Sequence, residues 1–246
     1  MIRFILIFGL ILCWCPNLLG QKITNVILVG SSGVTDDVKQ AHSFILVKEL
    51  PDSRFERYDY KLFGPLARLM TYKDTAMSIL DGRYLEYFSS GYLRVYGKYS
   101  ENLRTGQWYT YNETGENVLI EEYQDGTLLR SVDPRTRNKA EYLSFPDEKD
   151  AEFRGGPKAW KKYLVKKLTE SKAADQSLKG GQVMVSFKID INGSISEAFV
   201  SKSVEFVLDE EAVTVIRNSP PWEPAFQNGK NVYAYRKQPL MFVKDP

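Results

Sequence analysis

The chain has 246 residues, which is enough to bury a sizeable core and to form one large or two small domains. Its 33 Lys and Arg residues nearly balance its 31 Asp and Glu residues, for a formal net charge of +2. This balance argues against nucleic acid as a partner, because nucleic-acid-binding proteins carry a strongly basic face.

Residues 1–20 have the layout of a secretory signal peptide. Arg3 precedes a long apolar stretch that ends at Leu19, and Gly20 provides a small residue at a candidate cleavage point. The stretch is shorter than the roughly 20 residues that a membrane-spanning helix needs, and Pro16 interrupts it. We therefore expect export to the periplasm or cell envelope with cleavage, and an inner-membrane anchor only if the segment is retained.

Side chains suited to catalysis or metal binding are scarce. Both cysteines, Cys13 and Cys15, lie in the first segment, and the single histidine is His42. The mature chain therefore cannot form a disulfide, a Ser-His-Asp triad or a His/Cys-based metal site. We predict no catalytic residue, no metal and no small-molecule cofactor, and therefore no enzyme. A mechanism that uses only Asp and Glu is the one enzymatic alternative left open.

Residues 81–129 repeat a pattern of glycine and aromatic residues. Five positions recur at a spacing of 24: Gly82, Tyr84, Tyr87, Gly91 and Tyr99 correspond to Gly106, Trp108, Tyr111, Gly115 and Tyr123. Aromatic strand positions around a glycine turn predict one antiparallel β-hairpin per copy. Because a single hairpin is only marginally stable, we expect the copies to stack. The pattern resembles the variant MORN repeats of bacterial proteins, so we assign residues 21–130 to a β-rich region.

A linker and a different pattern follow. Residues 131–152 are charged and contain Pro134 and Pro146, which is typical of a linker. Beyond them, Pro157 stands at the start of an apolar stripe with helical spacing. The stripe consists of Trp160, Tyr163, Leu164 and Leu168. It predicts an amphipathic helix.

The remaining segments predict a hairpin, a second helix and a last strand. Alternating apolar residues flank Asn192-Gly193, a dipeptide typical of tight hairpins. Asp209, Glu210 and Glu211 open an apolar stripe, where their charge complements a helix dipole. Residues 231–243 supply the last strand. The order predicts an α+β fold: after the hairpin repeats comes a small domain, residues 153–246, with two helices on one face of a three-stranded antiparallel sheet.

Short motifs in this last region occur together in one known family. In order they are Phe153-x-Gly155-Gly156, Gly181-x-Val183, Asn192-Gly193, Ser203, Leu208-Asp209-Glu210-Glu211-Ala212, Trp222-x-Pro224, Asn228-Gly229-Lys230 and Pro239. They resemble the C-terminal domain of TonB, the envelope energy transducer, in the form found in Bacteroidetes. We expect structural roles for Gly155, Gly156, Asn192, Gly193, Trp222, Pro224, Asn228 and Gly229, with Trp222 as a core anchor.

The resemblance implies a peptide-binding function. TonB-like domains capture the TonB box, a short extended peptide of an outer-membrane transporter, as an additional strand. The expected binding edge consists of six residues: Val232, Tyr233, Ala234, Tyr235, Arg236 and Lys237. The alternative is that Arg236, Lys237 and Pro239 merely protect this edge against aggregation.

The chain also departs from the family pattern. It has no proline-rich spacer, and its apolar segment contains no His, Asp or Glu that would couple to an ion-driven motor. We therefore expect contact with inner-membrane motor proteins only if the first segment is retained. The alternative function is an envelope scaffold, without energy coupling, whose repeats bind a protein or a glycan.

Overall fold

The computed structural model describes residues 22–136, 148–178 and 180–244. The chain forms two compact units, Met1–Arg137 and Asn138–Pro246. The predicted signal peptide lies outside the described residues. Within the described ranges, no helix is long and apolar enough to cross a membrane.

The first unit is one antiparallel sheet of ten strands. They are β1 (Lys22–Gly30), β2 (Gly33–Val34), β3 (Ala41–Glu49), β4 (Phe55–Lys61), β5 (Leu66–Tyr72), β6 (Leu80–Tyr87), β7 (Leu93–Ser100), β8 (Leu103–Tyr111), β9 (Asn117–Gln124) and β10 (Thr127–Val132). From β3 to β10 each strand pairs with the next, and β1 lies between β3 and β2. The two predicted repeats are the hairpins β6–β7 and β8–β9, which β7–β8 pairing joins into the same sheet.

Aromatic rings of the repeat pack around Trp108. The buried Trp108 ring lies against Gly97, where an added Cβ would come within 2.2 Å of a ring carbon. The Arg104 guanidinium lies 4.3 Å from the Trp108 ring centroid, a cation–π contact. The rings of Tyr84 and Tyr99 pack at 5.8 and 5.0 Å from the Trp108 ring. The aromatic positions thus stabilise the sheet across strands.

A buried ion pair joins β4 to β6 elsewhere in this sheet. The Glu56 carboxylate is buried, accepts a hydrogen bond from the Tyr58 hydroxyl at 2.6 Å and another from Arg83 Nε at 3.0 Å. Burial raises the pKa of the Glu56 carboxyl, but Arg83 and the Tyr58 hydrogen bond outweigh burial and hold that pKa below its ordinary value. The charged form of Glu56 is therefore part of the folded structure.

The second unit contains short helices around a small sheet. Its elements are β11 (Glu152–Phe153), α1 (Gly156–Glu170), α2 (Ala173–Gln176), β12 (Gly181–Ile189), β13 (Ile195–Lys202), α3 (Phe206–Arg217), β14 (Trp222–Glu223), β15 (Ala225–Gln227), β16 (Lys230–Val232) and β17 (Ala234–Phe242). The main sheet has the antiparallel order β13-β12-β17, and β11–β14 and β15–β16 form two-stranded pairs. The predicted α+β class is confirmed.

The three-stranded sheet has one covered face and one open face. Val183, Val185, Phe187 and Ile189 of β12 are buried on the covered face, together with Leu208, Ala212 and Ile216 of α3. The alternate residues of β12 and β17 lie on the other face, called the open face below, where they are exposed or half-buried. The amphipathic pattern of β12 therefore produces a two-layer domain.

Three predicted boundaries need correction. Ser131 and Val132, assigned to the linker, are the end of β10, while Ala151 is buried in the core of the second unit. The helix expected from Leu208 begins at Phe206, and the short helix α2 was not expected. These boundaries depend on tertiary contacts. Polar residues at a sheet edge and residues at a buried chain end show no periodic apolar pattern in the sequence. Residues 137–147 of the predicted linker lie outside the described residues.

Candidate functional site

The strand β17 forms one edge of the three-stranded sheet. It pairs with β12 without interruption from Ala234 opposite Ile189 to Phe242 opposite Gly181. In the ranges that the structure describes, no strand pairs with the opposite side of β17. One row of its backbone N–H and C=O groups is therefore open to another strand.

The predicted binding residues fall on two elements. Ala234, Tyr235, Arg236 and Lys237 lie in β17, as expected. The continuous strand expected from Val232 onward is interrupted, because Val232 pairs with Ala225 in the β15–β16 hairpin. Tyr233 lies between the two strands. The free edge is therefore Ala234–Phe242, which begins later and extends further than predicted.

Two tyrosines and a lysine form a patch on the open face. Tyr233 and Tyr235 are 54% and 73% exposed. The Lys188 ammonium lies 4.1 Å from the Tyr233 ring centroid and 5.7 Å from that of Tyr235. These cation–π distances place a positive charge beside two exposed aromatic surfaces. The patch offers apolar contact and positive charge next to the free edge.

On the covered side, two contacts hold β17 in place. The Arg236 guanidinium donates a hydrogen bond to the Ala151 carbonyl oxygen and lies 3.8 Å from the Asp150 carboxylate. The Trp160 Nε1 group of α1 donates to Gln238 Oε1 at 2.8 Å. These contacts hold β17 in place from the covered face, while its unpaired side stays accessible. The edge is therefore preorganised for a partner.

Trp222 is the centre of an aromatic cluster that supports this arrangement. Its buried ring packs against Phe153, Trp160 and Phe187, at centroid distances of 5.6, 4.9 and 5.5 Å. The cluster joins β11, α1 and the central strand β12. Trp222 thus lies in the core, between a helix and the sheet, and has no direct access to a ligand.

The glycines of the motif occupy tight backbone positions. Gly155 is the N-cap of α1 and Gly156 is its first residue, with φ values of 88° and 76° that residues with a side chain rarely adopt. Asn192 and Gly193 form the β12–β13 turn, in which the Asn192 amide donates to Asp190 Oδ1 at 2.8 Å. These residues shape the framework of the domain and not the edge itself.

The last three motif residues lie around the small hairpin. Pro224 separates β14 from β15. Asn228 and Gly229 form the β15–β16 turn with positive φ values of 50° and 78°. The turn therefore leads into β16 and not directly into the last long strand.

Sequence reasoning missed a buried carboxylate. Asp209 is buried and accepts hydrogen bonds from the Ser203 hydroxyl and from the Val204 amide, the latter at 3.1 Å. It thus satisfies polar groups of the segment that precedes α3. The signal in the sequence is the pair Ser203 and Asp209, a hydroxyl donor six residues before a carboxylate.

The comparisons with known proteins concern this second unit. The model of the family described as Gram-negative bacterial TonB protein C-terminal matches residues 171–243. This similarity to the TonB C-terminal family covers less than half of the chain. The match includes β17 and the aromatic cluster residue Trp222 but begins after α1. The TonB C-terminal family is a non-enzymatic domain associated with transport in the cell envelope. No curated protein and no solved structure gave a significant match to the chain.

Proposed function

We propose that this protein is a periplasmic TonB-like binding protein. Its β17 edge captures an extended peptide, the TonB box of an outer-membrane transporter, by strand addition. The observation that carries the proposal is the unpaired side of β17, a nine-residue strand whose other side pairs continuously with β12. It lies in the part of the chain that matches the TonB C-terminal family.

Backbone hydrogen bonds supply most of the affinity in this mode of binding. Side chains of the added strand alternate between the two faces of the sheet. Those on the open face contact Tyr235 and Lys237, and those between them approach the covered side near Arg236 and Gln238. We assign the partner-binding role to the predicted residues Ala234, Tyr235, Arg236 and Lys237, with Tyr233 contributing from the open face.

The alternative is that Arg236, Lys237 and Pro239 only protect this edge against aggregation, and the structure removes Arg236 from that set. Arg236 was expected to guard the edge by its charge, but its guanidinium is held by the Ala151 carbonyl oxygen and lies near Asp150. Lys237 and Pro239 remain to discourage pairing with other copies. An exposed tyrosine, Tyr235, lies beside these two protective residues. This combination favours an edge that accepts a selected partner over an edge that rejects every partner.

The envelope scaffold is the second candidate function, and one observation favours it. Three leucines at the β10 end of the first unit are exposed: Leu103, Leu128 and Leu129. Leu103, at the start of β8, packs beside the β9–β10 turn at Gly126, and Leu128 and Leu129 follow that turn in β10. Such an apolar patch suits a protein partner better than a glycan. In this reading the MORN-like repeats position the TonB domain on another envelope protein.

A binding titration tests the main proposal. A synthetic TonB-box peptide is titrated into the full-length protein and into a Tyr235→Pro variant, with calorimetric detection. We expect saturable binding to the first and at least about tenfold weaker binding to the second, because proline removes a backbone donor and its ring obstructs the edge. Equal binding to both proteins would place the peptide elsewhere.

A further inference from the structure

The helix α1 carries a strongly basic face. Because an α-helix has about 3.6 residues per turn, four of its exposed lysines share about half of its circumference, on the side away from the buried Leu164. The acidic residue of α1, Glu170, stands at its last position and not among these lysines. The surface is called the lysine face below and consists of Lys158, Lys161, Lys162, Val165 and Lys166.

Most of these charges are not used to stabilise the domain. The Lys166 ammonium lies 3.9 Å from the Glu170 carboxylate. In the part of the chain that the structure describes, the side chains of Lys158, Lys161 and Lys162 form no hydrogen bond and no ion pair. Lys158 also stands three and four residues before the other two, a spacing at which like charges repel one another on a helix. The lysine face therefore opposes folding slightly, and packing does not explain it.

An apolar side chain lies in the middle of the lysine face. Val165 is 55% exposed and stands three and four residues after Lys162 and Lys161. Long lysine stems can lie along an apolar layer while their ammonium groups contact charged groups above it. An exposed apolar residue among lysines is typical of helices that lie on a lipid surface. Nucleic acid offers no such apolar layer.

The choice of cation also favours a lipid surface. All four charges of the lysine face are lysines, which act as flexible point charges, whereas arginine holds phosphate in a fixed bidentate geometry. Point charges suit a fluid layer of headgroups that has no fixed arrangement. The face is a local feature, because the whole chain has a net charge of only +2. It also lies outside residues 171–243, the part that matches the TonB C-terminal family.

We propose that the lysine face binds the anionic surface of a membrane in the cell envelope. The ammonium groups contact the phosphate groups of the lipids, and Val165 reaches the boundary of the apolar layer below them. Each lysine near such a surface strengthens binding about fivefold. This inference goes beyond the proposed function and does not require peptide binding. An acidic protein is the competing partner, since it would satisfy the charge but not the exposed valine.

Co-sedimentation with lipid vesicles tests the inference. The exported protein, recovered in soluble form from the periplasm, is mixed with vesicles of phosphatidylcholine alone or of an equal mixture of phosphatidylcholine and phosphatidylglycerol. We expect binding to the mixed vesicles only. Raising the salt concentration from about 0.1 M to about 1 M should release the protein, because the Debye length falls from about 10 Å to about 3 Å. Equal binding to both kinds of vesicle, or to neither, would overturn the inference.

Matched charge variants locate the binding surface. The double variant Lys158→Gln, Lys162→Gln removes two charges from the lysine face and keeps good helix formers in place. The control Lys39→Gln, Lys61→Gln has the same net charge but changes exposed positions of the first unit. We expect about 25-fold weaker binding to mixed vesicles in the first and no more than about twofold in the control, with unchanged urea midpoints. Equal losses would show that only net charge matters and would overturn the inference.

Soluble polyglutamate serves as the probe for an acidic protein partner. We expect it to bind the unchanged protein far more weakly than the mixed vesicles do. Polyglutamate binding that is lost in Lys158→Gln, Lys162→Gln, together with no binding to mixed vesicles, would overturn the lipid assignment in favour of an acidic protein. Failure of a TonB-box peptide to bind would count against the proposed function alone, because none of these measurements involves β17.

Discussion

Gly193, in the β12–β13 turn, lies directly against Trp222 in β14. The Trp222 amide donates to the Gly193 carbonyl oxygen at 2.8 Å, and a Cβ on Gly193 would come within 1.9 Å of the Trp222 carbonyl oxygen. This contact fixes the strand hairpin to the proline-rich segment after α3. It explains why a glycine and a tryptophan far apart in the sequence belong to one structural motif.

Gly193→Ala is therefore expected to destabilise the second unit by at least about 2 kcal/mol, since it adds a backbone clash to the strain of a positive φ. Gly229→Ala is the matched control, because Gly229 also has a positive φ, of 78°, but no atom lies within 4 Å of its added Cβ. The control should lose only about 1 kcal/mol. Urea unfolding measures both values, and similar losses would show that the Trp222 contact contributes nothing.

A second prediction separates backbone from side-chain binding at the edge. Tyr235→Pro removes an outward backbone donor, whereas Tyr235→Ala removes the exposed ring and keeps the donor. We expect peptide affinity to fall at least about tenfold in the first variant and no more than about threefold in the second. Both variants should unfold at nearly the same urea concentration. Lys188 lies opposite Tyr235 and its carbonyl oxygen accepts a hydrogen bond from Ser196 of β13, so the amide of Tyr235 does not bond to β12. A tenfold loss in both variants would show that the ring, and not the backbone, carries the affinity.

The buried Asp209 provides a third prediction. Asp209→Ala leaves the Ser203 hydroxyl and the Val204 amide without their acceptor, which should lower the free energy of unfolding by about 1–3 kcal/mol. Glu211→Ala, two residues further along α3 and half-buried, should cost no more than about 0.5 kcal/mol. Chemical denaturation of the two variants checks the difference. Equal losses would mean that the carboxylate acts only through the helix dipole.

The Glu56–Arg83 pair predicts how the first unit responds to acid. Because the folded-state pKa of Glu56 lies below its ordinary value of 4.5, its stabilising contribution is present above that pH and is lost as the pH falls through the lowered pKa. We expect the free energy of unfolding to decrease below about pH 4.5, and to decrease less steeply in Glu56→Gln. Urea titrations at pH 7 and at pH 3 measure both slopes. Identical slopes would exclude Glu56 as a source of the acid sensitivity.

Local signals in the sequence predicted the fold where they repeat or form tight turns. The glycine and aromatic spacing gave the hairpins β6–β7 and β8–β9, and Asn192-Gly193 gave the turn between β12 and β13. Alternation was less reliable beyond that turn. Phe199 pairs with Ser186 on the open face, while the smaller Ala198 is buried in the core. A β-bulge between Lys188 and Ile189 shifts the register of β12 against β13, and no pattern in the sequence predicts this bulge.

The candidate site was predicted only in part for the same reason. Alternating residues around Tyr233 suggested one continuous strand, but a tertiary contact interrupts it. The Asn231 side chain donates to the Ile191 carbonyl oxygen at 3.0 Å and holds β16 near the β12–β13 turn. Which edge is free depends on the strand order β13-β12-β17, and strand order is a property of the folded chain that residue types alone do not determine.

Amide exchange in the presence of peptide tests the central claim most directly. A TonB-box peptide is added in excess to the full-length protein, and exchange is followed at single residues of β17. The account predicts new protection at Tyr235, because its amide lies on the side of β17 away from β12 and becomes a donor to the added strand, and no change at Arg236. Saturable binding that leaves the Tyr235 amide exchanging as fast as in the free protein would contradict it.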